Sequence, residues 1–306
     1  MKKPTKVKMG IAKTLDKLRA RHRMVVALLR GGMQELAITI LGDNVNPGEA
    51  YLEDTPVLRP HVGTQPDLFL RWNDIPLAAA SVDVVVHLHG FSQQGGEMPL
   101  AAKVAGSGLD LSGRKRPTIA LLPRGNWLRY TWYDFPALLS GGMDRLVEYG
   151  LQRFALAMGR GTLAMNRFIL AAHSGGGMPA VDVIAEARPP PDEFYVFDGL
   201  YGRDPATGDP MQGLEIIDRW LGERLSREPE REGALRVVYI EQQTGPFSRK
   251  VAELIARHLG AVDPPLAEML GRRYRVEKSL VQHSQIASRC LPDLLAGSDA
   301  KLNWSR

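Results

Sequence analysis

The stretch Asn166–Pro179, NRFILAAHSGGGMP, decides how this chain is read. Phe168 to Ala172 is a short apolar run with the length of a buried strand, and Pro179-Ala-Val-Asp-Val-Ile-Ala-Glu reads as a helix. Between them, His173-Ser-Gly-Gly-Gly must reverse the chain within a few residues. A serine in such a strand–turn–helix corner has its hydroxyl lifted off the end of the sheet, on a backbone that tolerates only small neighbours. Those neighbours are Ala172, two residues before Ser174, and Gly176, two after. Ser174 is therefore the candidate nucleophile. A glycine-rich turn can also cradle a phosphate at a helix N-terminus, but no lysine follows these glycines as a P-loop requires.

On either side of this corner, strand-like and helix-like stretches alternate. Val82–Leu88 is a near-continuous apolar run closed by His89-Gly90, as expected of a strand buried on both faces. Thr118–Leu122 is a second such run, closed by Pro123-Arg-Gly-Asn. Glu193–Phe197, Leu235–Ile240 and Tyr274–Leu280 follow the corner as further strands, with helices near Gln212–Arg227, Ser248–Leu259 and Ser284–Leu295. The alternation predicts βαβ units and a largely parallel sheet. Gln34–Leu41 and Asp67–Trp72 precede the alternation and read as strands of an antiparallel edge, while Ile11–Arg30 has helical spacing of its leucines and valines. Two regions are expected: a basic arm or helix over residues 1–30 and one α/β domain over 31–306.

Composition narrows the function classes. The chain has 306 residues, 44% of them hydrophobic and 24% charged, which is ordinary for a soluble globular protein. No apolar run reaches the roughly 18 residues of a membrane span, and no secretory leader is legible at the start. The single cysteine, Cys290, cannot form an internal disulfide, so a cytoplasmic location is expected. The net charge of +5 is concentrated in residues 2–23, a basic arm suited to an anionic surface or a protein partner. No zinc-finger spacing or other nucleic-acid motif accompanies it.

A nucleophilic serine needs a base, an orienter for that base and donors for the developing oxyanion. The backbone N–H of Gly175 and that of Phe91, in the His89-Gly-Phe-Ser turn, are the candidate oxyanion donors. Among seven histidines, His283 follows the last strand and precedes the last helix, on the edge where catalytic groups gather in open α/β sheets. His87 and His89 share a strand face and read as packed or as braces of the turn, and His173 is expected to point away from its neighbour Ser174. Two carboxylates compete to orient the base: Asp198, which ends Glu193–Phe197 and is favoured, and Glu241, which ends the next strand. The aromatic stretch Trp127–Phe135 would wall an acyl pocket or pack under a loop, and residues 202–212 would be a lid or an excursion.

The order strand-HGF, strand-PRG, strand-AHSGG-helix, strand-Asp, strand-His resembles the α/β-hydrolase superfamily from about Gln34 to the C-terminus. Ala172 stands where the superfamily usually has glycine. The resemblance implies a mostly parallel central sheet with helices on both faces and a Ser-His-acid triad. It further implies no metal or organic cofactor, and a small-molecule or lipid-like ester or amide as substrate. In most members the acid follows the seventh strand and in some lipases the sixth, which leaves Asp198 and Glu241 both open. A hydrolase-like scaffold without catalysis, binding a partner through its basic arm, is the alternative.

Overall fold

The computed structural model describes residues 22–26, 36–91, 98–128, 132–202, 213–227 and 233–298. Eight strands form the central sheet: β4 (Gly48–Leu52), β5 (Leu68–Trp72), β7 (Ser81–Leu88), β8 (Thr118–Pro123), β11 (Ala164–His173), β12 (Glu193–Phe197), β13 (Ala234–Tyr239) and β14 (Tyr274–Lys278). They lie in the spatial order β14-β13-β12-β11-β7-β8-β5-β4. Every pairing from β14 across to β8 is parallel, and β5 is antiparallel to both of its neighbours, β8 and β4. A separate antiparallel sheet holds β1 (His22–Val26), β2 (Ala37–Leu41), β3 (Asn44–Val45) and β6 (Ile75–Pro76). A small hairpin pairs β9 (Asn126–Leu128) with β10 (Trp132–Asp134).

The continuous apolar run of β7 is explained by burial on both faces. Val84, Val86 and Leu88 join one core, and Val85 joins the other. The first core is closed by α2 (Gly142–Ala157), α3 (Gly177–Glu186), α4 (Leu214–Arg227) and α5 (Gly245–Leu259), through Leu146, Val181, Leu221 and Val251. The second is closed by α1 (Leu100–Ser107) and α7 (Ile286–Ser298), through Leu100, Val104, Leu291 and Leu295. A further short helix, α6 (Pro264–Gly271), precedes β14. At the N-terminal edge of the parallel strands, Asp83 and Arg114 form a buried ion pair of 2.5 Å. Asn166 Nδ2 also donates to Asp83, at 2.7 Å, and Arg114 Nε donates to Thr118 Oγ1 at 2.7 Å.

Two expectations change. Within the stretch read as a helix over Ile11–Arg30, residues His22–Val26 form a strand that pairs antiparallel with β2. The run HRMVV is too short for its periodicity to distinguish helix from strand, and strand pairing decides. The early strands also divide: β5 continues the central sheet, whereas β2 belongs to the small one. The rest of the basic arm, residues 1–21 and 27–30, lies outside the described residues, as do residues 203–212 of the expected lid.

Candidate active site

The parallel strands end on one edge of the sheet, and the loops that leave them there bring the singled-out residues together. Ser174 follows β11 directly, at φ 51°. This left-handed conformation is costly for a residue with a Cβ, and it is held by crowding around the turn. A Cβ on Gly176 would lie 2.5 Å from the Leu88 carbonyl oxygen, so the chain can turn beside the end of β7 only with glycine there. Ala172, fully buried under the turn, leaves room for the corner. Asp198, the residue after β12, is also left-handed at φ 45°.

Ser174, His283 and Asp198 form a continuous hydrogen-bonded row. Ser174 Oγ lies 2.8 Å from His283 Nε2, and His283 Nδ1 lies 2.5 Å from Asp198 Oδ2. A carboxylate only accepts, so Nδ1 carries the ring proton and Nε2 is left to accept from the serine hydroxyl. Asp198 Oδ1 accepts the backbone N–H of Ile240 at 3.0 Å and the hydroxyl of Thr244. Burial pushes the Asp198 carboxyl upward, but the hydrogen bonds from His283, Thr244 and Ile240 outweigh it, and the group stays below the usual carboxylate range. It is ionised at neutral pH.

Glu241 takes no part in this row. Its carboxylate turns outward to Arg249 and to Lys278, the latter at 3.2 Å, and the hydrogen bond from Arg249 and then that from Lys278 lower its pKa. Asp198 follows the sixth strand of the central sheet in chain order and Glu241 follows the seventh, so the row takes the first of the two placements left open by the sequence.

The remaining histidines separate into packing and bracing. His89 Nε2 accepts the backbone N–H of Gly125 at 3.1 Å, which leaves Nδ1–H to donate to the Gly90 carbonyl at 3.0 Å. His89 thus ties the loop after β7 to the loop after β8, and its ring meets Phe135 edge-on at 5.5 Å. His173 Nε2–H donates to the backbone carbonyl of His283 at 2.9 Å, fixing the loop that carries that residue. Burial, and then repulsion from the His283 ring when that ring is protonated, pull the His173 pKa down to about 4. His87 is fully buried, and burial holds its pKa down at about 3. His258 sits at the helix surface, 2.6 Å from Asp218.

Phe91 and Gly175 are adjacent: a Cβ on Gly175 would stand 3.4 Å from the Phe91 amide nitrogen. Gly90 is required beside them, since a Cβ there would fall 2.7 Å from Ser174 Cβ and 3.1 Å from the His173 carbonyl oxygen. Tyr201 was not legible in the sequence. Its hydroxyl lies 3.2 Å from Ser174 Oγ, and because the serine proton faces His283, the tyrosine is the donor. Burial, working against that hydrogen bond, raises the Tyr201 pKa and keeps the phenol protonated. The β9–β10 hairpin, part of the aromatic stretch, runs beside the Ser174 turn. Arg124, directly after β8, is buried and donates to the Met98 carbonyl at 2.8 Å, whereas Arg129 and Arg203 lie outside the described residues. Among the described residues no group of three His, Cys, Asp or Glu is placed to hold a metal ion, and no helix is long and apolar enough to cross a membrane.

No family model matches the chain, and no curated protein matches its sequence. Solved structures do match its fold. A fluorophosphonate-binding serine hydrolase of Staphylococcus aureus, with substrate bound, superimposes at a TM-score of 0.51 and 10% identity, covering 83% of this chain and 99% of its own. A ferulic acid esterase superimposes at a TM-score of 0.50 and 11% identity, covering 85% of this chain and 99% of its own. The chain has the α/β-hydrolase fold: a mostly parallel eight-stranded sheet between helical layers, with a small antiparallel sheet beside it.

Proposed function

We propose, taking the α/β-hydrolase fold as the premise, that this chain is a serine hydrolase that cleaves a carboxylic ester through an acyl-enzyme. The observation that carries the reading is the row Ser174 Oγ, His283 Nε2, His283 Nδ1, Asp198 Oδ2, with contacts of 2.8 and 2.5 Å in the tautomer that general-base catalysis needs. In this reading, Ser174 Oγ attacks the substrate carbonyl as its proton passes to His283 Nε2. Asp198, ionised and held by Thr244 and Ile240, stabilises the imidazolium. The carbonyl oxygen, now negative, is received by the N–H groups of Phe91 and Gly175. His283 returns the proton to the leaving alkoxide, the acyl group stays on Ser174, and water repeats the sequence to release the acid. No metal or organic cofactor takes part in these steps. The ferulic acid esterase that shares the fold supports an ester as the substrate.

A fluorophosphonate probe with intact-mass detection tests the reading. Wild type is expected to gain one adduct, and Ser174→Ala and His283→Ala none. On a short activated ester those two variants should lose on the order of 10⁶-fold in kcat. Asp198→Asn should lose about 10⁴-fold, from the wrong histidine tautomer, while Glu241→Gln should stay within about twofold. A folded wild type that neither takes the probe nor cleaves any short ester would overturn the proposal in favour of a non-catalytic scaffold.

A further inference from the structure

We propose that Lys103 is a positioning residue for the oxyanion site, aiming the Phe91 N–H through the Gly90 carbonyl. This rests on the hydrolase reading above. Lys103 lies on α1 and is only 7% exposed, an unusual place for an ammonium group. Its Nζ donates to the Gly90 carbonyl oxygen at 2.8 Å, and the same oxygen receives His89 Nδ1–H at 3.0 Å. Two donors therefore hold one carbonyl.

That carbonyl belongs to the peptide whose nitrogen is Phe91 N. In a planar trans peptide the C=O and the N–H point in opposite directions. Pinning the oxygen toward α1 and the His89 ring thus turns the Phe91 N–H away from them, toward the Gly175 side, where a Cβ would come within 3.4 Å of that nitrogen. Orientation is one consequence and polarity is the other. A donor on the oxygen, and an ammonium above all, draws electron density from the amide and strengthens its N–H as a donor, the cooperativity expected of hydrogen-bond chains in a low-dielectric interior. Keeping an ammonium there is costly: burial, and then the charge of Arg124, pull its pKa down to about 7. A lysine kept merely for packing would be matched by methionine, which has a similar length and no such penalty.

The test compares wild type, Lys103→Met and Lys103→Arg on a p-nitrophenyl ester and on its thiono analogue, in which sulfur replaces the carbonyl oxygen. Sulfur is a poor hydrogen-bond acceptor, so the ratio of the two rates reports the oxyanion donors and is insensitive to a general loss of active protein. Removing a direct oxyanion donor costs about 10²–10³-fold in kcat, so a displaced but present donor is expected to cost about 10-fold. Lys103→Met should show that fall in kcat on the ester, with KM within about twofold and a parallel fall in the ester-to-thionoester ratio. Lys103→Arg, which keeps a charged donor, should recover most of it. If Lys103→Met does not fold, Lys103→Gln, uncharged and shorter, carries the same comparison. A ratio unchanged from wild type, or ester and thionoester rates falling together, overturns this inference and leaves the hydrolase reading standing. Absence of both turnover and probe labelling in wild type overturns both.

Discussion

Replacing His87 with leucine should change how the stability of this protein depends on pH, by an amount that follows from where the ring sits. His87 is fully buried in β7, with no hydrogen-bond partner on either ring nitrogen among the described residues. Burial, and secondarily the charge on His173, lower its pKa from 6.5 to about 3. A histidine whose folded-state pKa is depressed is neutral in the fold but protonates in the unfolded chain as soon as the pH falls below about 6.5. Its contribution is therefore intact above pH 6.5 and is lost as the pH drops from there toward 3. Each pH unit in that window costs about 1.4 kcal/mol per such group. Between pH 7.5 and pH 5 the window covers about 1.5 units, so wild type should lose about 2 kcal/mol through His87 that the leucine variant does not lose. Urea unfolding of both proteins at the two pH values measures this as a difference of differences. Packing changes made by the leucine, and the titration of every other group, cancel between the two pH values. The expected result is a gain for His87→Leu at pH 5 that exceeds its effect at pH 7.5 by about 2 kcal/mol. An equal effect at both pH values would refute the reasoning, because it would mean that His87 takes up its proton as readily in the fold as out of it.

Three further outcomes follow from the same geometry. Gly90→Ala should leave a folded protein whose fluorophosphonate labelling is slowed by about 100-fold or more, since its methyl must push Ser174 Cβ or the turn carrying Phe91 aside; labelling at the wild-type rate would show that the turn yields freely. Thr244→Val removes one of the hydrogen bonds that keep Asp198 ionised, so the carboxyl should shift upward and stability at pH 7 should fall by about 1.5–3 kcal/mol in urea melts. Because the Asp198 pKa is depressed in the fold, that loss should shrink as the pH falls through the carboxylate range, and a pH-independent loss would argue against it. Arg114→Met strands the buried Asp83 carboxylate and should cost about 3–5 kcal/mol, most of it recovered in the Arg114→Met, Asp83→Leu double variant; a single variant as stable as wild type would contradict the pairing.

The central sheet was legible because its inner strands are buried on both faces, and such strands show as near-continuous apolar runs. Val82–Leu88 and Phe168–Ala172 are of this kind. Legibility failed where a strand is made by its partner. Gly48–Leu52, with the sequence GEAYL, has no pattern of its own and is a strand through its antiparallel ladder with Leu68–Trp72. His22–Val26 sits inside a stretch with helical spacing and is a strand through its pairing with Ala37–Leu41. Periodicity reports how a segment buries its own side chains, and in these two places the ladder outweighs it.

The site divides along the same line. Ser174, Asp198 and His283 each follow a strand, and a parallel sheet sends all such positions to one edge, so strand ends narrow the candidates to a few residues. Asp198 and Glu241 satisfy that rule equally, and what separates them is invisible in one dimension. The first turns inward at φ 45° to meet Thr244 and Ile240, and the second turns outward to Arg249 and Lys278. Tyr201 and Lys103 gave no sign at all. A lysine on an amphipathic helix reads as the solvent face, and a tyrosine in a turn reads as surface. Each meets the site through a hydrogen bond, to Ser174 Oγ in one case and to the Gly90 carbonyl in the other, across the loops that the strands bring together. Residues at the ends of strands inherit their position from the sheet, whereas Tyr201 and Lys103 depend on how the loops pack. The Lys103 and Tyr201 positions can therefore vary among chains that share this sheet while the Ser-His-Asp row stays in place, and aligning solved structures on β7 and β11 and comparing the group that meets the Gly90-equivalent carbonyl would show whether they do.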